Sequence, residues 1–169
     1  MICCVTGHRS QGFPFERDKN HEQYVNYIVT LYREIEKLID EGYEHFISGM
    51  AEGADMDFAD AVLFFKRNTK NDITLEAAIP YPIPLKKKLS DYDIAKNLIL
   101  MQCQQTILSP FYHRGCMEKR NRYMVDQANI VLAIWNGKKQ GGTWNTINYA
   151  QKKGKEIRYI RLDKTENYL

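Results

Sequence analysis

At 169 residues the chain has the length of one domain, residues 1–169, which can bury roughly 70% of its unfolded surface without help from disulfides or metal ions. Its net charge of +3 is a mild bias towards anionic partners that suits nucleotides and is too small to indicate nucleic-acid binding. No apolar run reaches the roughly 18 residues of a membrane-spanning helix, so a membrane partner is excluded and a soluble protein is expected.

The cysteines indicate neither a metal site nor a disulfide framework. Cys3, Cys4, Cys103 and Cys116 lack the paired spacing of metal ligands, and the N-terminus lacks the basic-then-apolar pattern of a signal peptide. The sequence therefore predicts reduced thiols, a cytoplasmic location and no metal.

The first half of the chain alternates apolar runs with amphipathic ones. Residues 1–6 predict a buried strand that ends in a polar loop, and residues 19–41 carry apolar side chains at helical spacing. Residues 43–47 and 73–79 predict the second and third strands. A helix that reaches about residue 67 joins them.

Three prolines exclude regular structure from residues 80–84, and a helix is predicted over residues 85–101. Its expected buried positions are Leu89, Tyr92, Leu98 and Ile99. Residues 106–108 predict a short strand and residues 117–128 a helix.

Residues 130–135 are the strongest strand signal, because an unbroken, β-branched apolar run indicates a strand buried on both faces. A Gly-rich turn and a helix to about residue 153 follow, and residues 157–162 predict the last strand. We expect at least one of Trp135 and Trp144, which flank the turn, to pack in the core.

This alternation predicts an α/β fold with a parallel sheet and right-handed crossovers. In such folds ligands bind beyond the carboxyl ends of the strands, where the strand order reverses. The glycine-bearing loops after strands one, two and five are therefore expected to face one crevice.

The turn at Gly141, Gly142 and Thr143 is the first candidate contact. Glycine permits close approach, unpaired amides at a helix start donate hydrogen bonds, and the helix dipole favours a phosphate. The alternative is an ordinary turn with Thr143 as the N-cap. Neither the dinucleotide motif G-x-G-x-x-G nor the P-loop motif is present.

A second candidate is Arg120, which shares a helical stripe with Met117 and Met124. A guanidinium on a packed stripe must meet a carboxylate or face the crevice as an anion clamp. The alternative is an arginine on the solvated surface.

Acidic and basic residues near the other strand ends are further candidates. Glu52 and Asp55 lie near a helix start, where carboxylates act as caps or can bind ribose hydroxyls. His8 and Arg9 can bind phosphate, and His8 can also exchange a proton near neutral pH.

Together these segments resemble the SLOG superfamily and, within it, the YpsA-like family. The matching segments, in chain order, are residues 7–9, 48–55, 117–126, and 133–137 through 141–143. The resemblance implies a Rossmann-like parallel sheet flanked by helices on both faces, which binds a nucleotide or an ADP-ribose-like ligand. Residues 48–55 are also similar to the Ser-Gly-x-Ala-x-Gly-x-Asp segment of the DNA-processing protein A family, which binds single-stranded DNA.

The related Lonely Guy phosphoribohydrolases carry Met-x-x-Arg-Lys-x-x-Met, so the resemblance puts Arg120 in the place of their catalytic arginine. Their second motif continues Gly-Thr-x-Glu-Glu, whereas here Trp144, Asn145 and Thr146 follow Thr143. An amide can neither shuttle a proton nor stabilise an oxocarbenium-like centre, so the loss favours binding over cleavage.

The leading prediction is a small-molecule nucleotide-binding domain in a sensing or regulatory role, with no separate cofactor. The predicted ligand-binding residues are Gly7, His8, Arg9, Ser48, Gly49, Glu52, Gly53, Asp55, Arg120, Asn121, Asn136, Gly141, Gly142 and Thr143. The Gly-rich turn and Arg120 are expected to hold phosphate. Residues 48–55 are expected to hold the sugar or pack beneath it, and residues 7–9 to close the other wall.

Two alternatives remain open. A nucleotide N-glycosidase would recruit Glu52 or Asp55 as its acid. A single-stranded nucleic-acid module would use Arg114, Lys119, Arg120 and Arg122. A homo-oligomer is also open, since Tyr81 and Tyr112 suit either a subunit interface or a base-stacking wall.

Overall fold

The computed structural model describes residues 1–70, 72–82 and 88–164, and within these ranges the chain forms six parallel strands and five α-helices. The strands are β1 (Ile2–Gly7), β2 (His45–Ser48), β3 (Thr74–Ile79), β4 (Gln104–Ile107), β5 (Ile130–Trp135) and β6 (Glu156–Arg161). The helices are α1 (Glu22–Asp40), α2 (Ala54–Asn68), α3 (Asp91–Leu100), α4 (Cys116–Gln127) and α5 (Gly141–Lys152).

The sheet order is β4-β3-β2-β1-β5-β6, so the order reverses between β1 and β5. These two strands pair in parallel from Cys3 opposite Ile130 to Gly7 opposite Ile134. The predicted α/β, Rossmann-like architecture is confirmed. Its switch point lies where β1 and β5 end side by side, which is where ligands bind in open α/β sheets.

Helices cover both faces because successive strand residues point in opposite directions. On β1, Cys3 and Val5 join the core that includes Leu31 of α1 and Phe58 of α2, whereas Cys4 packs with Met124 of α4 on the other face. Central strands are thus buried on both sides, as the unbroken apolar run of β5 predicted. No helix among the described residues is both long enough and apolar enough to cross a bilayer.

The helix predicted over residues 85–101 is wrong at its start, because α3 begins only at Asp91. Ser90 Oγ accepts a hydrogen bond from Asp93 N, and the Asp93 carboxylate accepts one from Ser90 N at 3.0 Å. This capping box fixes the helix start. Residues 83–87, including the first part of that predicted helix and the end of the proline segment, lie outside the described residues.

Two of the predicted buried positions near α3 are also wrong. Leu89 and Leu98 are 42% and 57% exposed, whereas Ile99 is buried and Tyr92 is half-buried. The reason is that α3 lies at the β4 edge of the sheet, and β4 itself is mostly exposed. The helix therefore has less surface to bury against than the periodicity suggested.

A buried carboxylate on β3 makes folding sensitive to acid. Glu76 is 4% exposed and lies 2.9 Å from His45 Nε2, and it accepts a hydrogen bond from the Tyr123 hydroxyl at 2.7 Å. The hydrogen bond from His45, helped by Tyr123, lowers the pKa of Glu76 from its ordinary 4.5 to about 2. The ionised Glu76 therefore stabilises the fold above pH 4.5, its pKa in the unfolded chain. This stabilisation is lost as the pH falls from 4.5 towards about 2, its pKa in the folded protein.

We expect Glu76→Gln to lower the free energy of unfolding by about 3 kcal/mol at pH 7. The lowered pKa of Glu76 means that the folded protein stabilises the ionised carboxylate by about this amount, and the glutamine carries no charge. Urea denaturation of both proteins between pH 7 and about pH 2 measures the difference, which should shrink as pH falls below 4.5. A difference that stays constant over this range would contradict the assignment.

Candidate functional site

A cavity of about 300 Å³ lies at the carboxyl ends of β1 and β5. We call it the crevice. Its walls include Arg9, Gln11 and Gly12 from the loop after β1, Ala51 and Asp55 from the start of α2, Met117, Arg120 and Asn121 from α4, and Gly142 and Thr143 from α5. Segments far apart in sequence thus converge, and Arg120 and Gly142 line the same space.

Arg120 is the buried cation of the crevice, with 8% of its surface exposed. Its Nη1 donates to the Gly49 carbonyl oxygen and its Nε donates to Asn121 Oδ1 at 2.8 Å. Burial lowers the pKa of this guanidinium and the nearby Asp55 opposes the shift. Within the described part of the chain Arg120 forms no ion pair, so a bound anion can supply its counter-charge.

Gly49 allows the guanidinium to lie against the backbone after β2. A Cβ at this position would stand 2.2 Å from Arg120 Nη1 and 2.8 Å from Asp55 Oδ2. Since real Cβ atoms do not approach other atoms so closely, only glycine fits while Arg120 keeps its place. Gly49 therefore positions Arg120 rather than contacting a ligand from an open surface.

Asp55 is the carboxyl group of the crevice and is 7% exposed. Its Oδ2 accepts a hydrogen bond from Ala51 N at 3.3 Å, and burial raises the pKa of Asp55 although Arg120 opposes the shift. Ser48 lies beneath it, fully buried, with its Oγ donating to the Asp55 carbonyl oxygen at 2.9 Å. Ser48 therefore supports the loop from below.

The backbone of the loop after β1 packs directly on the start of α2. Ala54 N donates to the His8 carbonyl oxygen at 3.1 Å. A Cβ at Gly7 would stand 2.4 Å from Ala54 Cβ, and a Cβ at Gly53, whose φ is +104°, would stand 2.5 Å from the His8 carbonyl oxygen. Gly7 and Gly53 thus bring the two loops together at the crevice.

Three predicted contacts, His8, Glu52 and Asn136, are not among the residues that line the crevice. The half-buried His8 ring lies against Gly12, and burial lowers the pKa of His8. Glu52 is exposed and accepts a hydrogen bond from Ser10 Oγ at 2.9 Å. Asn136 Nδ2 donates to the Gly12 carbonyl oxygen at 2.9 Å. These side chains hold the loop that presents Arg9.

The start of α5 is open. The helix begins at Gly141, so Thr143 lies inside the first turn and the alternative in which it is the N-cap is wrong. Gln140, the actual N-cap, makes no side-chain cap hydrogen bond. A Cβ at Gly141 or Gly142 would meet nothing within 4 Å. The first amides of the helix have no partner within the helix, and Gly142 and Thr143 line the crevice.

Sequence reasoning missed Thr6, Gln11 and Gly12, which also line the crevice. Gln11 and Gly12 belong to a short 3-10 turn, Ser10–Gly12, whose composition carries no ligand signal. Their place just after β1 was the available clue, because loops at the carboxyl ends of parallel strands surround the ligand site.

Two basic residues of α4 outside the crevice, Lys119 and Arg122, bind groups of the protein itself. Lys119 Nζ donates to the Leu108 carbonyl oxygen at 2.6 Å, and Arg122 pairs with Glu118 at 2.5 Å. Trp135 is buried, as expected, and it also stacks on Trp144. In the ranges that the structure describes, no group of three or more His, Cys, Asp or Glu residues is placed to hold a metal ion.

Comparisons with known proteins agree with this architecture. The model of the YspA SLOG family matches residues 3–165. A 36-residue segment is 47% identical to the uncharacterized SPbeta prophage-derived protein YoqJ of Bacillus subtilis (strain 168) and spans 21% of this chain and 20% of that protein.

Among solved structures, the chain is similar to DNA processing protein A from Helicobacter pylori, described for its single-stranded DNA binding mode. The TM-score is 0.58 with 16% identity over 99% of this chain and 69% of that one. At this identity the likeness shows the fold.

Proposed function

This chain belongs to the YspA SLOG family, and we propose that its crevice binds a nucleotide or nucleotide-derived ligand in a sensing or regulatory role. The observation that carries the proposal is that Arg120 and the uncapped start of α5 border one cavity. As part of the same proposal we place the protein in the cytoplasm, where its free thiols remain reduced.

The electrostatics of the crevice favour a phosphate. A helix start carries roughly half a positive charge and donates several amide hydrogen bonds. Arg120 adds a full charge without an ion-pair partner among the described residues, and Arg9 adds another at the rim. Charge-assisted hydrogen bonds to a phosphate in a partly desolvated cavity are about twice as strong as neutral ones.

We expect Gly142→Ala to weaken AMP binding by about tenfold, because its methyl group occupies the space where a phosphate must approach the amides. The fold itself should be unchanged or up to about 0.5 kcal/mol more stable, since alanine favours helices and nothing lies within 4 Å of the new Cβ. Isothermal titration calorimetry and thermal melts measure the two effects. Gln151→Ala, on the exposed side of α5, is the control, and unchanged AMP affinity in Gly142→Ala would contradict a phosphate at this turn.

Cleavage of the N-glycosidic bond is the second candidate function, and Asp55 is the observation in its favour. Asp55 lines the crevice with a raised pKa, so it suits a proton donor, whereas Glu52 is exposed and bonded to Ser10. However, the resemblance to the Lonely Guy phosphoribohydrolases puts Asn145 and Thr146 where those enzymes carry Glu-Glu. Binding without turnover is therefore the main proposal.

Incubation with AMP and chromatography for free adenine separates the two functions. The main proposal predicts no adenine above the level of buffer alone. Adenine release that disappears in Asp55→Asn and in Arg120→Gln would instead establish the hydrolase.

A further inference from the structure

A second cavity, of about 350 Å³, opens between α4 and α5 beside the crevice. We call it the groove. Met117, Asn121 and Gly142 line both the groove and the crevice, so the two spaces adjoin at the start of α5. Each alone is near the lower limit of small-molecule sites, about 300 Å³, and together they suit a larger, elongated ligand.

The groove differs from the crevice in chemistry. Three carboxamides line it, from Asn121 on α4 and from Asn145 and Asn148 on α5, and the charged side chains of Glu118, Arg122 and Lys152 line it as well. Asn121 Oδ1 accepts a hydrogen bond from Arg120 Nε, so the amide NH2 group of Asn121 is left for other partners. Among the described residues, no hydrogen bond engages the side chain of Asn145 or Asn148, and both side chains are accessible. A carboxamide presents a hydrogen-bond donor beside an acceptor. The edge of a nucleobase, above all that of adenine, presents the complementary pair.

Arg122 gives the groove a flat surface. Its guanidinium pairs with Glu118 at 2.5 Å and lies 5.2 Å from the centre of the Tyr149 ring. The Tyr149 hydroxyl is in turn fixed by Asp126 at 3.0 Å. A guanidinium held in this way can stack on a base with its plane, as arginines do with unpaired bases in protein–RNA complexes.

From this arrangement we infer that the groove is the base-recognition subsite for a nucleoside phosphate whose phosphate lies over Gly142 in the crevice. The inference rests on the proposed function and adds which part of the ligand each cavity holds. Asn145 and Asn148 read the base edge, Arg122 stacks on its face, and Met117 lies beside the sugar at the boundary.

The test compares AMP with ribose 5-phosphate, which has the same sugar and phosphate but no base, by isothermal titration calorimetry. In Asn145→Ala/Asn148→Ala we expect AMP affinity to fall about tenfold through the loss of two hydrogen bonds, while ribose 5-phosphate binds as in the wild type. Arg122→Lys keeps the charge but removes the planar guanidinium. It should weaken the binding of AMP and leave the binding of ribose 5-phosphate unchanged. Gln151→Ala is the matched control on the same helix.

Other results would overturn the inference in distinguishable ways. If AMP binds the double variant as tightly as the wild type while Arg120→Gln weakens it, the base lies elsewhere and only the proposed function stands. If the double variant changes the mass measured by light scattering but not AMP affinity, the groove is an interface between copies of this chain. If the wild type binds none of AMP, GMP, ADP, ADP-ribose and ribose 5-phosphate, the proposed function fails together with the inference.

Discussion

Replacing Gly49 with alanine should both destabilise the fold and remove most of the affinity for a phosphate ligand. The new Cβ would stand 2.2 Å from Arg120 Nη1 and 2.8 Å from Asp55 Oδ2, so the guanidinium must leave its place against the backbone. Overpacking of this kind costs about 1–3 kcal/mol. Losing a charge-assisted contact weakens binding by roughly 10- to 100-fold.

Urea denaturation and calorimetry with AMP measure the two losses. Gly142→Ala is the informative comparison, because a Cβ there meets nothing within 4 Å and should spare stability while still weakening binding. If Gly49→Ala is as stable as the wild type, Arg120 can move aside without cost. The guanidinium is then not held in place by Gly49.

Asp57→Ala should cause the largest loss of stability, about 3 kcal/mol or more, because it leaves a cation without its partner in a mostly buried position. The Asp57 carboxylate pairs with Arg17 at 2.5 Å and accepts a hydrogen bond from the Tyr27 hydroxyl at 3.1 Å. Arg17 also donates to Ser10 Oγ at 2.9 Å. The network therefore fastens the loop after β1, which supplies Arg9 to the crevice, onto α2.

Chemical denaturation of Asp57→Ala beside Asp60→Ala measures this effect, since Asp60 is an exposed acid on the same helix and its loss should change stability by less than about 0.5 kcal/mol. Asp57→Asn, which keeps the shape and removes the charge, should lie between them. Equal stability of the two alanine variants would show that the buried pair does not hold the loop.

The fold was largely predictable because its signals are local. The apolar run of β5 and the helical spacing of α1 predicted elements close to the observed Ile130–Trp135 and Glu22–Asp40. The start of α3 was mispredicted although Ser90 and Asp93 carry a capping-box pattern. The exposure of Leu98 was not predictable from periodicity, because it depends on how little of the sheet edge lies beneath α3.

The crevice was predictable in outline and not in detail. The topology rule brought the loops after β1, β2 and β5 together, and Arg120 and Gly142 do line one cavity. Some predicted residues support the crevice without lining it. Long-range contacts decide which ones, and no local sequence pattern contains those contacts. Asn136 donating to Gly12, and Arg120 donating to Gly49, are such contacts.

The most direct measurement is a calorimetric titration of the wild type and Arg120→Gln with AMP, GMP, ADP and ADP-ribose, with matched thermal melts to show that both proteins are folded. We predict that at least one of these ligands saturates a single site per chain and binds Arg120→Gln at least about tenfold more weakly. The proposal is contradicted if none of the four saturates the wild type, or if every ligand that does so binds the folded Arg120→Gln protein equally well.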